Sequence, residues 1–102
     1  MTTSTSTSPR RVLLLSRGQE QPAVPVEMSA HHVSVRLPGT LPVEIPVRLT
    51  LEWADGSSTM LTARTQSVIA FRNGHIAHLD VEAVDGDWRP YLDYLEAFAA
   101  SA

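Results

Sequence analysis

The sequence predicts an α+β domain: an antiparallel sheet of four or more strands followed by one C-terminal amphipathic helix. Three observations carry that expectation. In "VEIPVRLTLEW", residues 43–53, six successive odd positions are apolar, the period of a strand with one buried face. Asn73-Gly74 separates two further alternating stretches and reads as a hairpin turn. In "DWRPYLDYLEAFAASA" the period changes, and Trp88, Leu92, Leu95 and Ala99 recur at helical spacing.

The elements follow in order along the chain. Its 102 residues suit one small domain, and 43% apolar residues suffice for a single core. Residues 1–9 are rich in Thr and Ser and read as a flexible tail, leaving residues 10–102 as one domain. Residues 12–16 read as a short strand. "GQEQPAVP", residues 18–25, carries two prolines and reads as a loop. Val33, Val35 and Leu37 alternate with Ser34 and Arg36 as a second strand, which "PGTLP" ends. In the third, Val43, Ile45, Val47, Leu49, Leu51 and Trp53 share the buried face. Pro46 lacks an N–H there and calls for an edge position or a bulge. After the turn in "ADGSS", residues 59–72 place Leu61, Ala63, Thr65, Ser67, Ile69 and Phe71 on one face, and residues 75–84 complete a meander. Asp87 is positioned as the helix N-cap, with Pro90 tolerated in the first turn.

Composition excludes several functions. The net charge is −3, and all 8 basic residues are Arg. Without Lys there is no Schiff-base or lysine general-base chemistry, and the Arg-only set suggests a GC-rich, bacterial genome. The arginines are scattered rather than arranged in the basic stripe that nucleic acid requires. Cys is absent, which removes disulfides, thiolate metal sites and thiol nucleophiles and fits a reducing cytoplasm. No apolar run approaches the roughly 20 residues of a membrane span. The run at residues 12–15 is shorter than the roughly 7 to 15 residues of an export-signal core. A cytoplasmic protein without membrane or nucleic-acid partners is therefore expected.

Ala70, Phe71, Arg72, Asn73, Gly74, His75 and Ile76 form an apolar–Phe–Arg–Asx–Gly–x–Ile hairpin. With "PVEIPVRLTLEW" before it, the stretch from about residue 33 to residue 90 resembles the closing strands of the nuclear transport factor 2-like superfamily, and its SnoaL-like branch in particular. The resemblance implies a strongly curved, cone-like sheet wrapped around helices, with an apolar pocket. It implies one of two roles: a module holding a small hydrophobic ligand or a partner subunit, or a cofactor-independent acid–base enzyme of the polyketide cyclase or ketosteroid isomerase kind. In either case Trp53, Leu61, Thr65, Ser67, Ile69 and Phe71 are the expected ligand-binding wall. Members usually begin with helices that fill the cone. Residues 1–32 predict none, so the remaining apolar face is expected to be covered by the C-terminal helix and by a second subunit in a homo-oligomer.

Asp80 and His78 are the candidate catalytic pair, as base and helper, and with Glu82 they occupy one side of one strand. The hairpin register decides whether that side is dry. A two-residue Asn73-Gly74 loop sets Ile69 opposite His78 and places the three residues beside Thr65, Ser67 and Ile69. A three-residue loop of Arg72, Asn73 and Gly74 sets Ile69 opposite Ala77 and sends them to the wet face with Arg64 and Gln66. The second register pairs like with like and is favoured. No metal is expected: His31 and His32 point opposite ways, as do His75 and His78, and a site built on His78, Asp80 and Glu82 is the weakest candidate. The acidic group Asp85, Asp87, Asp93 and Glu96 suits a solvated helix start.

Overall fold

The computed structural model describes residues 8–100. Of the predicted tail, residues 1–7 lie outside the described residues. Seven strands form one antiparallel sheet, with β1 (Arg11–Ser16), β2 (Gln19–Pro22), β3 (Val24–Met28), β4 (His32–Leu37), β5 (Pro46–Glu52), β6 (Ser58–Phe71) and β7 (Gly74–Gly86) followed by helix α1 (Trp88–Ala100). The order across the sheet is β2-β1-β5-β6-β7-β4-β3, and the sheet curls into a half-barrel. The α+β class, the curved antiparallel sheet and the C-terminal helix are as the sequence predicts.

The curl has a covalent cause. The strands β2 and β3 occupy opposite edges of the sheet, yet only Ala23 separates them in the chain. Across so short a link the two edges converge, because consecutive Cα atoms are about 3.8 Å apart. Ala23 bridges them by donating its N–H to the Val12 carbonyl at 2.9 Å. The "GQEQPAVP" stretch is thus mostly strand rather than loop. Its alternation is masked because Gln19, Glu20 and Val24 are exposed and two prolines interrupt it. Those prolines suit edge strands, where a missing N–H leaves no ladder bond unmade. The β1–β2 turn is Arg17-Gly18 with φ values of 52° and 78°, the doubly positive pair of a two-residue hairpin.

The inner face of the curl is filled by the chain itself. Leu14, Val35, Leu49, Leu51, Leu61 and Leu79 are fully buried there, with Tyr91 and Tyr94 of α1 packed over them. Trp53 stands edge-on to Tyr94, with ring centroids 5.7 Å apart, and Tyr94 meets Phe98 in the same way at 5.6 Å. Trp53 also donates its indole N–H to Thr59 Oγ1 at 2.8 Å, and Thr59 in turn bonds the Asp87 carbonyl, which ties the sheet to the start of the helix. Gly86 makes that approach feasible. Its φ is 94°, and a Cβ there would stand 2.5 Å from the Ser58 carbonyl oxygen. Asp87 caps the helix by accepting the Arg89 N–H at 3.3 Å. Pro46 turns out to be the first residue of a central strand, another position where a proline removes no ladder bond. Val43 precedes that strand and is exposed. Among the described residues no helix is long and apolar enough to cross a membrane.

Candidate functional site

The β6–β7 hairpin carries every predicted catalytic residue and most of the predicted ligand wall. Its register is neither of the two considered. Phe71 pairs with Gly74, so the loop is Arg72-Asn73, and Ile69 pairs with Ile76 and Ser67 with His78. Gln66 is then an extra residue, and below it Thr65 pairs with Leu79 and Arg64 with Asp80. The bulge at Gln66 moves the odd positions from one face to the other. Below it Leu61 and Thr65 point inward and are fully buried. Above it Ser67, Ile69 and Phe71 point outward and are exposed.

The predicted ligand wall is therefore divided. Trp53, Leu61 and Thr65 are core, whereas Ser67, Ile69 and Phe71 belong to the outer surface near the hairpin tip. The trio lies on the outer face, and each member is turned to a cross-strand neighbour. His78 Nδ1 lies 2.8 Å from Ser34 Oγ, Asp80 Oδ1 lies 2.7 Å from His32 Nδ1, and Arg64 donates from Nε to Glu82 Oε2 at 3.2 Å. The first two are ladder pairs of β4 with β7, the first of them on the buried Ser34, and the third joins Arg64 to the bulged Glu82 on the exposed part of the face. Asp80 is half-buried there on the outer face of the sheet, beside His32, and not in the dry pocket that proton abstraction from carbon calls for. Among the described residues no group of three His, Asp or Glu is placed to hold a metal ion.

A different site emerges at the tip. Phe71 and Ile76 wall a cleft of about 320 Å³ that Arg36, Arg72, Asn73, Gly74 and His75 complete. Gly74 fits here because a Cβ would stand 2.5 Å from the Leu37 carbonyl oxygen, so the turn lies close against the end of β4. The surroundings are apolar. Ile69, Ile76, Arg36 and Val24 form one row across β6, β7, β4 and β3, and Phe71, Ile69 and Val24 are 55%, 48% and 59% exposed. Neither Arg36 nor Arg72 has an acidic partner among the described residues, and the buried Nδ1 of His75 has no hydrogen-bond partner among them. A larger depression of about 480 Å³ lies between α1 and the start of β1, beside Arg10, Ala23 and Phe98, and holds none of the predicted site residues. Of the tip residues, sequence reasoning reached Phe71 and Ile69. It missed Arg36, whose only signal was an isolated cation at an outward position of a strand, and Arg72, which it treated as part of a turn.

No family model matches the sequence. No curated protein and no solved structure matches it either. The geometry of the tip is therefore the basis for a functional reading.

Proposed function

We propose that this chain is a small binding module that holds an apolar group bearing a negative charge in the cleft at the tip of the β6–β7 hairpin. The carrying observation is the pairing of exposed Phe71 and half-buried Ile76 with two arginines that lack acidic partners among the described residues. Apolar walls supply affinity by excluding water, and a planar guanidinium fork orients a carboxylate or a sulfonate. The resemblance of the hairpin to SnoaL-like domains supports a ligand-holding role without fixing the ligand. The inner face, where that resemblance would put a pocket, is occupied by Leu49, Leu61, Tyr91 and Tyr94. Titration with 1-anilinonaphthalene-8-sulfonate, an apolar anion, tests the reading. Its fluorescence should rise on the native chain, and both Phe71→Ser and the pair Arg36→Gln with Arg72→Gln should weaken binding about tenfold. Equal binding to all three proteins would refute it.

A further inference from the structure

The chain also carries a surface complementary to that cleft. Trp88 and Leu92, one helical turn apart on α1, are 51% and 49% exposed and form an apolar strip. Asp93 and Glu96 are exposed on the same helix and Asp85 three residues before Trp88; they outnumber the exposed Arg89, and none of the three has a cationic partner among the described residues. An apolar surface with free cations thus sits at one end of the hairpin, and an apolar surface with free anions at the other. The 13 residues of β7 separate them, up to about 40 Å of extended strand, within a molecule whose longest dimension is 45 Å. Two surfaces so far apart on one folded chain cannot meet each other within it.

Resting on the binding role proposed for the tip, we infer that its occupant is a second copy of this chain, which inserts the Trp88–Leu92 strip of α1 head to tail. Trp88 enters between Phe71 and Ile76, and Asp85 and Asp93 face Arg36 and Arg72. Charge complementarity selects this pairing over tip to tip, which would bring four arginines together. Sheet-edge pairing is disfavoured as a route to assembly, because Pro22 and Pro25 lie in the two edge strands and β3 bulges between Pro25 and Glu27. Where two copies lie antiparallel the contact is made twice and closes as a two-fold dimer, and in any other orientation it repeats as a ring or a filament.

Sedimentation velocity on the full chain tests the inference with two variants. Arg36→Glu with Arg72→Glu spoils the cleft and keeps the strip, whereas Trp88→Ser with Leu92→Ser spoils the strip and keeps the cleft. The native chain should form dimers or larger species in dilute salt and lose them at about 0.5 M salt, where charges are screened within a few ångströms. Each variant alone should sediment as a monomer with unchanged circular dichroism. Their equimolar mixture should give a heterodimer that grows no further, since one good cleft meets one good strip. A native chain that remains monomeric at the highest soluble concentration overturns the inference, as does a mixture that fails to pair. Continued self-association of the strip variant, with none by the cleft variant, also overturns it while leaving the tip as a binding surface. Equal sulfonate binding by the native chain and by the tip variants Phe71→Ser and Arg36→Gln with Arg72→Gln is the separate sign that the underlying reading has failed.

Discussion

Tyr91 shows how a single atom sets the response to pH. Its ring is buried under the sheet, and its hydroxyl has no hydrogen-bond partner among the described residues. Burial raises the pKa of Tyr91 and of Tyr94 above the ordinary phenol value of about 10. Above that value the unfolded chain releases these protons while the folded chain keeps them, so stability falls as pH rises. Alkaline titration should show tyrosinate absorbance appearing together with loss of the folded circular dichroism, rather than before it. Tyr91→Phe removes the unpaired hydroxyl without opening a cavity. It should leave thermal stability equal or raise it by up to about 1 kcal/mol, and should shift alkaline unfolding upward. Asp80 is the contrasting case. Its contact with His32 is an exposed pair, so Asp80→Asn should cost less than about 1 kcal/mol in urea denaturation. The same variant should bind the sulfonate probe as tightly as the native chain, because Asp80 is not among the residues that line the tip cleft.

The β6–β7 hairpin works because its bulges divide it into segments with different duties. Inward-facing Leu61, Ala63 and Thr65 serve the core, while outward-facing Ile69 and Phe71 serve the surface, and Gln66 is the residue that permits both. Deleting Gln66 would force a choice between burying Ile69 and Phe71 and keeping Thr65 and Leu61 inside. The deletion variant should lose several kcal/mol in urea denaturation or fail to fold cooperatively, whereas Gln66→Ala, which keeps the extra residue, should change stability by about 0.5 kcal/mol or less. This arrangement also explains what the sequence made legible. The existence of the hairpin, the strand at residues 33–37, the buried odd face of β5 and the Asp87 cap all follow from local pattern and local chemistry. The register did not, because Asn73-Gly74 signals a turn without saying which two residues form the loop, and the bulges at Gln66 and Glu82 leave no mark in an alternation of mostly small and polar residues. The prediction that Ser67, Ile69 and Phe71 share a pocket with Leu61 failed at that one inserted residue. The strands β2 and β3 were missed for another reason: short edge strands with prolines look like loops until a partner strand is known.

The whole sheet bears on whether folding needs a partner. An apolar face spread along four open strands would require cover from outside the chain. Here the chain turns from one edge of the sheet to the other through Ala23, and the resulting trough is filled by α1 and by the loop after β4. In that loop Leu41 is buried, and Gly39 donates its N–H to Gln21 Oε1 at 2.9 Å. The radius of gyration, 13.4 Å, is close to the roughly 13 Å expected of a compact chain of this length. The described residues thus fill the trough from within one chain, and the association proposed at the tip would add to that core rather than create it. The two contributions separate by mass action, since only a folding equilibrium linked to assembly depends on protein concentration. The strip variant Trp88→Ser with Leu92→Ser should therefore unfold cooperatively at a urea midpoint that stays the same over about a hundredfold range of concentration. The native chain should show a midpoint that rises with concentration in dilute salt and loses that rise at high salt. A strip variant whose midpoint falls on dilution would mean that the core still requires a second subunit. The closing of the trough by α1 and the 38–45 loop would then be insufficient to hold the fold.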